Sequence, residues 1–264
     1  MIAKAARFLA LVPVRPAEAV DRLLAATQAR WELRSQQHIA YNSCATLEAF
    51  DRVGASLTVN LFQFLQEPAL AEIESAVGEK WNHIRSYAPF RTAHNGDISL
   101  ARACYCFVRA LRPAVAVETG VCYGVTSSFV LQAMHYNAVG SLHSIDLPPL
   151  ENRADDFVGG LIPVNLRRRW TLHRGSSRRL LPSLLRHAGP IDLFIHDSLH
   201  TRENMKMEFR LAWEYLRPGG ILIADDIQGN ATFRDLSNAD DAGVSAVFAE
   251  EEKKVLCGLV VKRP

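Results

Sequence analysis

The sequence predicts a doubly wound α/β sheet, and three observations carry the prediction. From residue 113 onward, short apolar runs alternate with segments of helical periodicity, the arrangement that winds a parallel sheet with helices on both faces. The runs lack strict apolar–polar alternation, as strands covered on both faces do. Four of the five clearest runs end on or beside a carboxylate and the remaining one on a Gly-Ser turn, although a buried strand needs no charge at its tip to fold.

Taken in order, residues 1–94 read as a helical extension. Within it Pro68 sits at a helix start, and Leu70, Ile73, Val77, Trp81 and Ile84 follow in steps of three and four, one stripe on one face. Asp97 is a suitable N-cap for a helix running to about Leu111, which opens the main unit, residues 95–264. There the strands are expected at 114–118, 141–146, 170–175, 191–197 and 220–226, with helices at about 125–137, 177–188 and 201–216. GVSAVFAE reads as strand or helix, VLCGLVVK as a final strand. The segment from Pro149 to Arg169 is longer than a typical connection and rich in Pro, Gly and charge. Such connections are lids over a site or surface excursions.

At 264 residues the chain has room for one large domain and an appendage. Its 48% hydrophobic and 22% charged content is that of an ordinary globular protein. A formal net charge of +2 is too small to argue for nucleic acid or an anionic membrane. The clusters Arg167–Arg169 and Arg178–Arg179 have no interleaved aromatics and read as solvated faces. The five cysteines (Cys44, Cys104, Cys106, Cys122, Cys257) include no C-x-x-C pair, which argues against disulfides and zinc and fits a reducing, cytoplasmic setting. The start MIAKAARFLALVPVRPAEA has the basic opening of a signal peptide, but its apolar run contains Pro13 and meets Arg15 at once, so an ordinary N-terminal segment is expected. No stretch approaches the ~20 apolar residues of a membrane span. The expected partner is a small molecule rather than nucleic acid or a membrane, with a homo-oligomer left open.

In an open parallel sheet, ligands bind beyond the carboxyl ends of the strands. The first such end continues as E-T-G-V-C-Y-G, where Gly120 and Gly124 would let backbone approach a ligand or let helix and strand pack tightly. The spacing is not G-x-G-x-x-G and there is no G-K-[ST], which disfavours a pyrophosphate or phosphate loop. Asp146, ending the second strand, is placed to take ribose hydroxyls. A nucleoside without a pyrophosphate is indicated.

VETGVCYG, SIDL, HRGSS, IHDSLH and GGILIADD, in that order over roughly residues 95–264, resemble a class I S-adenosylmethionine-dependent methyltransferase. That likeness implies a Rossmann-like, mostly parallel seven-stranded sheet. Within the class the chain resembles the small metal-dependent O-methyltransferases, of the catechol and caffeoyl-CoA types, and more closely bacterial antibiotic-sugar O-methyltransferases. The resemblance implies that Glu118, Gly120 and Gly124 line the methionine end of S-adenosylmethionine, with Tyr123 along the same wall. Thr126 or Ser127 would meet its carboxylate at a helix N-terminus, Asp146 the ribose, and Gly175, Ser176 and Ser177 the adenine. The metal ligands match Asp197, Asp225 and Asp226, for a divalent cation such as Mg²⁺. Catechol O-methyltransferase has asparagine where Asp226 stands, and its catalytic lysine matches His200, an imidazole able to take a proton near neutral pH.

The implied reaction is metal-assisted O-methylation of a sugar or other small metabolite, with His200 as base and the 149–169 segment as closure. Each residue also has a plainer role. Asp197 could cap the following helix, Asp225 and Asp226 could make an Asx turn, and His196 reads as a packed histidine on the other side of the strand. Two other functions stand beside the first: a metal-independent methyltransferase of the same fold, and a cofactor-binding protein without catalysis.

Overall fold

The computed structural model describes residues 2–35, 39–90, 96–251 and 253–264. Two helices, α1 (Ile2–Val14) and α2 (Pro16–Ser35), follow one another through Arg15 as an N-terminal helical arm, in which Arg15 donates to Leu11 O and accepts from the Ala19 N–H; then come α3 (Thr46–Ser56), α4 (Phe62–Leu65) and α5 (Pro68–Ile84). Then come α6 (Ile98–Leu111), β1 (Val115–Thr119), α7 (Val125–Asn137), β2 (Ser141–Asp146), α8 (Ala154–Phe157) and β3 (Trp170–Arg174). The chain ends with α9 (Ser177–Ala188), β4 (Ile191–His196), α10 (Arg202–Tyr215), β5 (Leu216–Ala224), α11 (Thr232–Ser237), β6 (Ala242–Ala249) and β7 (Leu256–Lys262).

The seven strands form one sheet in the order β3-β2-β1-β4-β5-β7-β6. The first five are parallel, and β7 runs antiparallel to both β5 and β6. The expected doubly wound, seven-stranded sheet is therefore present. The order reverses between β1 and β4, which opens the crevice where such sheets bind ligands.

Apolar side chains on both faces explain why the strand runs do not alternate with polar residues. Ala116, Leu193, Ile195, Ile221 and Ile223 enter one buried cluster with α3, α5, α6 and α7. Val117, Phe194, Leu222 and Ala224 enter the other with α9 and α10. Asp97 caps α6, its carboxylate accepting from the Ser99 backbone N–H at 2.7 Å. Tyr105, Phe107 and Leu100 of that helix are fully buried, each contributing about 1.5–3 kcal/mol. Pro68 starts α5, whose stripe of Leu70, Ile73 and Val77 is buried in the same cluster.

Several expectations change. GVSAVFAE is the edge strand β6, and β5 begins at Leu216 rather than residue 220, because Leu216 already pairs with Ile191 before a bulge. Arg167 and Arg168 are exposed, as a solvated face requires, while Arg167 and half-buried Arg169 also donate to the backbone carbonyls of Gly159 and Gly140. The 149–169 segment is no free closure either. Gly159 and Leu161 donate backbone hydrogen bonds to Cys122 and Tyr123, and Leu161, Ile162 and Leu166 are buried, so apolar burial anchors it as a fixed wall. All five cysteines are free. Among the described residues no helix is long and apolar enough to cross a membrane.

Candidate active site

The carboxyl ends of four parallel strands line one cavity of about 840 Å³: Gly120–Cys122 after β1, Ile145–Leu147 at β2, Gly175–Ser177 at β3 and Asp197–Leu199 at β4. The tip of β5 joins beside it, because Asp225 lies against Asp197. Cleft and rim thus coincide where the strand order reverses.

The expected nucleoside residues divide into two layers. Gly120, Asp146, Gly175, Ser176 and Ser177 line the cavity. Asp146 carries the clearest invitation to a ligand. Burial pushes its carboxyl up to about 6, and the backbone N–H groups of Val121, Leu147 and Cys122 only partly offset that. Its Oδ2 is buried with no partner. Ser176 is the N-cap residue of α9, yet its side chain makes no capping bond and its Oγ is buried without a partner. An unmet acceptor and an unmet hydroxyl facing the same space cost free energy until something polar arrives. A nucleoside carrying hydroxyl donors fits them.

Glu118, Tyr123, Gly124, Thr126 and Ser127 form the layer behind. Glu118 Oε2 accepts from Ser127 Oγ at 2.6 Å and Ser144 Oγ at 2.7 Å. Burial lifts its carboxyl to about 7, and Oε1 has no partner. Tyr123 does not reach the cavity: its hydroxyl donates to Phe90 O at 2.6 Å, its ring stacks on Phe90 at 4.1 Å, and Phe90 does the lining. Thr126 Oγ1 is buried and unpartnered, with Gly96 so close that a Cβ there would lie 2.4 Å from it. Both glycines of the turn are required by the backbone packing. At φ +86°, a Cβ on Gly120 would stand 1.8 Å from the Asp197 carbonyl oxygen, while one on Gly124 would meet Gly159 and Ile162. Tight packing, the plainer reading of that turn, accounts for both.

At the β4–β5 side, ligand-competent atoms of Asp197, His200 and Asp225 all lie within 4.8 Å of one another. His200 Nε2 is 3.8 Å from Asp197 Oδ1. Asp226 falls outside this trio. It adopts a left-handed backbone (φ 49°) and donates its N–H to Asp225 Oδ1 at 2.8 Å. Burial, and then the charge of Asp225, raises the Asp197 carboxyl. Burial also opposes the charge on Asp225, but His200 and Lys253 outweigh it and hold that carboxyl down. Asp197 does not cap the next helix; Thr201 does.

Two further residues of the site carry no signal in the sequence. Lys253 Nζ lies 3.1 Å from Asp225 Oδ2, an ammonium inside the acidic cluster. Glu250 is 3% exposed and neither carboxyl oxygen has a partner; burial, then Asp225 and Asp97, pushes it up to about 10. Both belong to the run A-E-E-E-K-K, whose composition reads as a solvated turn. Nothing in its spacing signals otherwise. Behind β4, Glu208 is fully buried and accepts from Thr119 Oγ1 at 2.6 Å and Ser198 Oγ at 2.8 Å, with His196 Nδ1 at 2.7 Å. His196 is thus the packed histidine expected, and this network fixes the strand tip that carries Asp197.

The α1–α2 arm roofs the cavity with Phe8, Leu9, Leu23 and Leu24 and with the polar Asp21, Arg22 and Gln28. Its docking is ionic. Glu18 accepts from Arg174 at 2.5 Å and Arg22 at 2.7 Å, Arg22 donates to Pro148 O at 2.7 Å, Asp21 pairs with Arg179 and Arg7 with Glu151. Further along α2, Glu32 accepts the backbone N–H of Arg202 at 2.6 Å. Residue 18 is therefore tied beside β3 and residue 32 at the start of α10. The helix between them, about 20 Å at 1.5 Å per residue, crosses the mouth from the ribose side to the Asp197 side.

Residues 117–227 match the family described as "Methyltransferase domain". That stretch of the chain is similar to a methyltransferase domain. The match spans β1 to the end of β5, the strands whose tips build the cavity. Among solved structures, the O-methyltransferase TomG from Streptomyces achromogenes, in complex with SAM, has a TM-score of 0.57 at 15% identity, covering 75% of this chain and 91% of its own. The O-methyltransferase from Bacillus cereus in complex with SAH has a TM-score of 0.57 at 14% identity, covering 82% and 100%. The SAH-bound methyltransferase PaMTH1 from Podospora anserina has a TM-score of 0.55 at 13% identity, covering 86% and 99%. At these identities the likeness shows the fold. No curated protein matches the sequence. The resemblance read from the motifs, a class I methyltransferase, is borne out by domain and fold together.

Proposed function

We propose that this methyltransferase domain moves a methyl group from S-adenosylmethionine to a hydroxyl oxygen of a small molecule. The observation that carries the reading is the placement of Asp146 Oδ2 and Ser176 Oγ, buried and unpartnered, on the same cavity as Asp197. Asp146 accepts from the ribose hydroxyls and Ser176 stands beside the adenine. S-adenosylmethionine supplies a methyl already activated on a sulfonium. The oxygen–carbon bond forms as the sulfur–carbon bond breaks, and the hydroxyl proton passes to His200 Nε2. The oxygen and sulfonium cancel opposite charges as they meet, a step that shielding from water favours. Placement alone supplies about 7–11 kcal/mol of the barrier in well-oriented reactions, so the fixed β4 tip contributes as much as the base.

Asp197 and Asp225 are the pair that would hold a divalent cation, Mg²⁺ or Mn²⁺, with Asp226 adjoining. When bound, such a cation lowers the acceptor's pKa and fixes its oxygen. Lys253 supports a second reading. Its ammonium, 3.1 Å from Asp225, already supplies positive charge there, as a metal-independent methyltransferase would need.

Calorimetry with S-adenosylhomocysteine tests the first claim: binding is expected in the wild type and about 10–100-fold weaker in Asp146→Ala, as for a hydrogen bond to a charged group. A wild type that fails to bind it would end the proposal. Turnover abolished by EDTA and restored by Mg²⁺ or Mn²⁺ supports the metal-assisted reading, whereas turnover untouched by chelation gives the site to Lys253.

A further inference from the structure

We infer that His143 and His173 form a metal site of their own, apart from the cavity, for a nitrogen-preferring divalent ion such as Zn²⁺. The site is independent of the methyl-transfer reading. The two rings meet across β2 and the edge strand β3. In the parallel register Ile145 pairs with His173 and His143 with Thr171. Alternation along each strand then puts both histidines on the side where Ile145 packs with Leu181 and Leu184 of α9. Neither is among the residues that line the cavity. The cysteine spacing that speaks against zinc says nothing about imidazoles on neighbouring strands.

The spacing of the two nitrogens decides the occupant. His143 Nδ1 lies 3.4 Å from His173 Nε2, with the rings tilted by 32° and their centroids 5.6 Å apart. An N–H donor reaches its acceptor at about 2.7–3.2 Å, so the rings stand wider than a hydrogen bond between them needs. Two nitrogens held at ~2.0–2.1 Å on a tetrahedral ion are separated by about 3.3–3.4 Å. A square-planar ion such as Cu²⁺ would draw them to about 2.9 Å. Burial lowers the pKa of both imidazoles, and His143 adds to that for His173, so each ring is neutral at pH 7 and can turn a lone pair to the ion. Each ring is half-buried, and among the described residues no third His, Cys, Asp or Glu closes on the pair. Water fills the remaining coordination positions. Bound there, the ion ties the edge strand β3 to β2. Because β3 ends in Arg174, which holds Glu18, the tie braces the strand that anchors the α1–α2 arm.

The test is a Zn²⁺ titration of the full, untagged chain, followed by calorimetry and by the histidine ring C–H resonances. Expected are resonances of both His143 and His173 that move with Zn²⁺, and a binding event at least about tenfold weaker in His143→Gln and in His173→Gln, as the loss of one of two ligands requires. The same event persists in Asp225→Ala, which separates it from any zinc taken up by Asp197, His200 and Asp225. Saturating Zn²⁺ should raise the wild-type melting temperature by at least about 3 °C, and that of either glutamine variant by less. Equal zinc-free melts show that the variants are folded; should one fail to fold, the wild-type resonances decide alone. Zinc binding that is absent, equally tight in both glutamine variants, or lost only in Asp225→Ala overturns the inference. So do resonances of the pair that stay still while those of other histidines move.

Discussion

Replacing Glu18 by glutamine tests whether ionic straps hold the roof over the cofactor. Glu18 is 2% exposed and accepts from Arg174 and Arg22. Burial alone would raise its carboxyl, yet the two guanidinium groups outweigh it and bring it from 4.5 down to about 2. A shift of that size is worth about 3 kcal/mol before screening. The side chains of Arg174 and Arg22 are 31% and 15% exposed, so water screens part of it and about 2 kcal/mol remains. Glutamine keeps the shape and loses the charge. The lifted state of the α1–α2 arm should then rise about thirtyfold at pH 7. Because the folded carboxyl is depressed, its stabilisation is complete above the unfolded value near 4.5 and is lost as the pH falls towards 2. Amide hydrogen exchange in α1 and α2, corrected for intrinsic rates, should therefore separate Glu18→Gln from wild type at pH 7, with the gap closing between about pH 4.5 and 2. Equal protection at pH 7, or a gap that persists at the acid end, would refute the reasoning.

Gly120→Ala forces a Cβ to within 1.8 Å of the Asp197 carbonyl oxygen at φ +86°. A loss of more than about 3 kcal/mol is expected, seen as a melting temperature lower by at least about 6 °C; a melt within about 2 °C of wild type would contradict the close crossing. Glu208→Ala removes the common acceptor of Thr119, Ser198 and His196. It should cost about 3–5 kcal/mol in urea unfolding, and a neutral result would show that the strand tip is held otherwise. Lys253→Met strips the ammonium from Asp225 and leaves Asp197, Asp225 and Glu250 without that counter-charge. Mn²⁺ affinity, followed by calorimetry, should improve at least about tenfold, and an unchanged affinity would remove Lys253 from the cation seat.

Where local pattern sufficed, sequence and structure agree closely. The helices at 125–137 and 177–188 and the strand at 141–146 match residue for residue, since each is bounded by a glycine, a cap or an acid that ends it. Asp146 and Asp197 stand on the cavity as expected. The motif resemblance puts Tyr123 and Gly124 on the cofactor wall, whereas in the structure Tyr123 stacks behind Phe90 and Gly124 packs against Gly159. The 149–169 segment looked like a closure by composition, and its buried Leu161, Ile162 and Leu166 make it a wall.

The sequence by itself determined the sheet, its class and the acids at its tips, because strand and helix periodicity and terminal residues are local properties of the chain. Only the tertiary structure decided what closes the site and what balances its charge. Glu18 meets Arg174 across 156 positions, and Lys253 meets Asp225 across 28. Long-range pairs of this kind leave no period or motif behind, since their energy depends on a distance and a burial that exist only once the chain has folded.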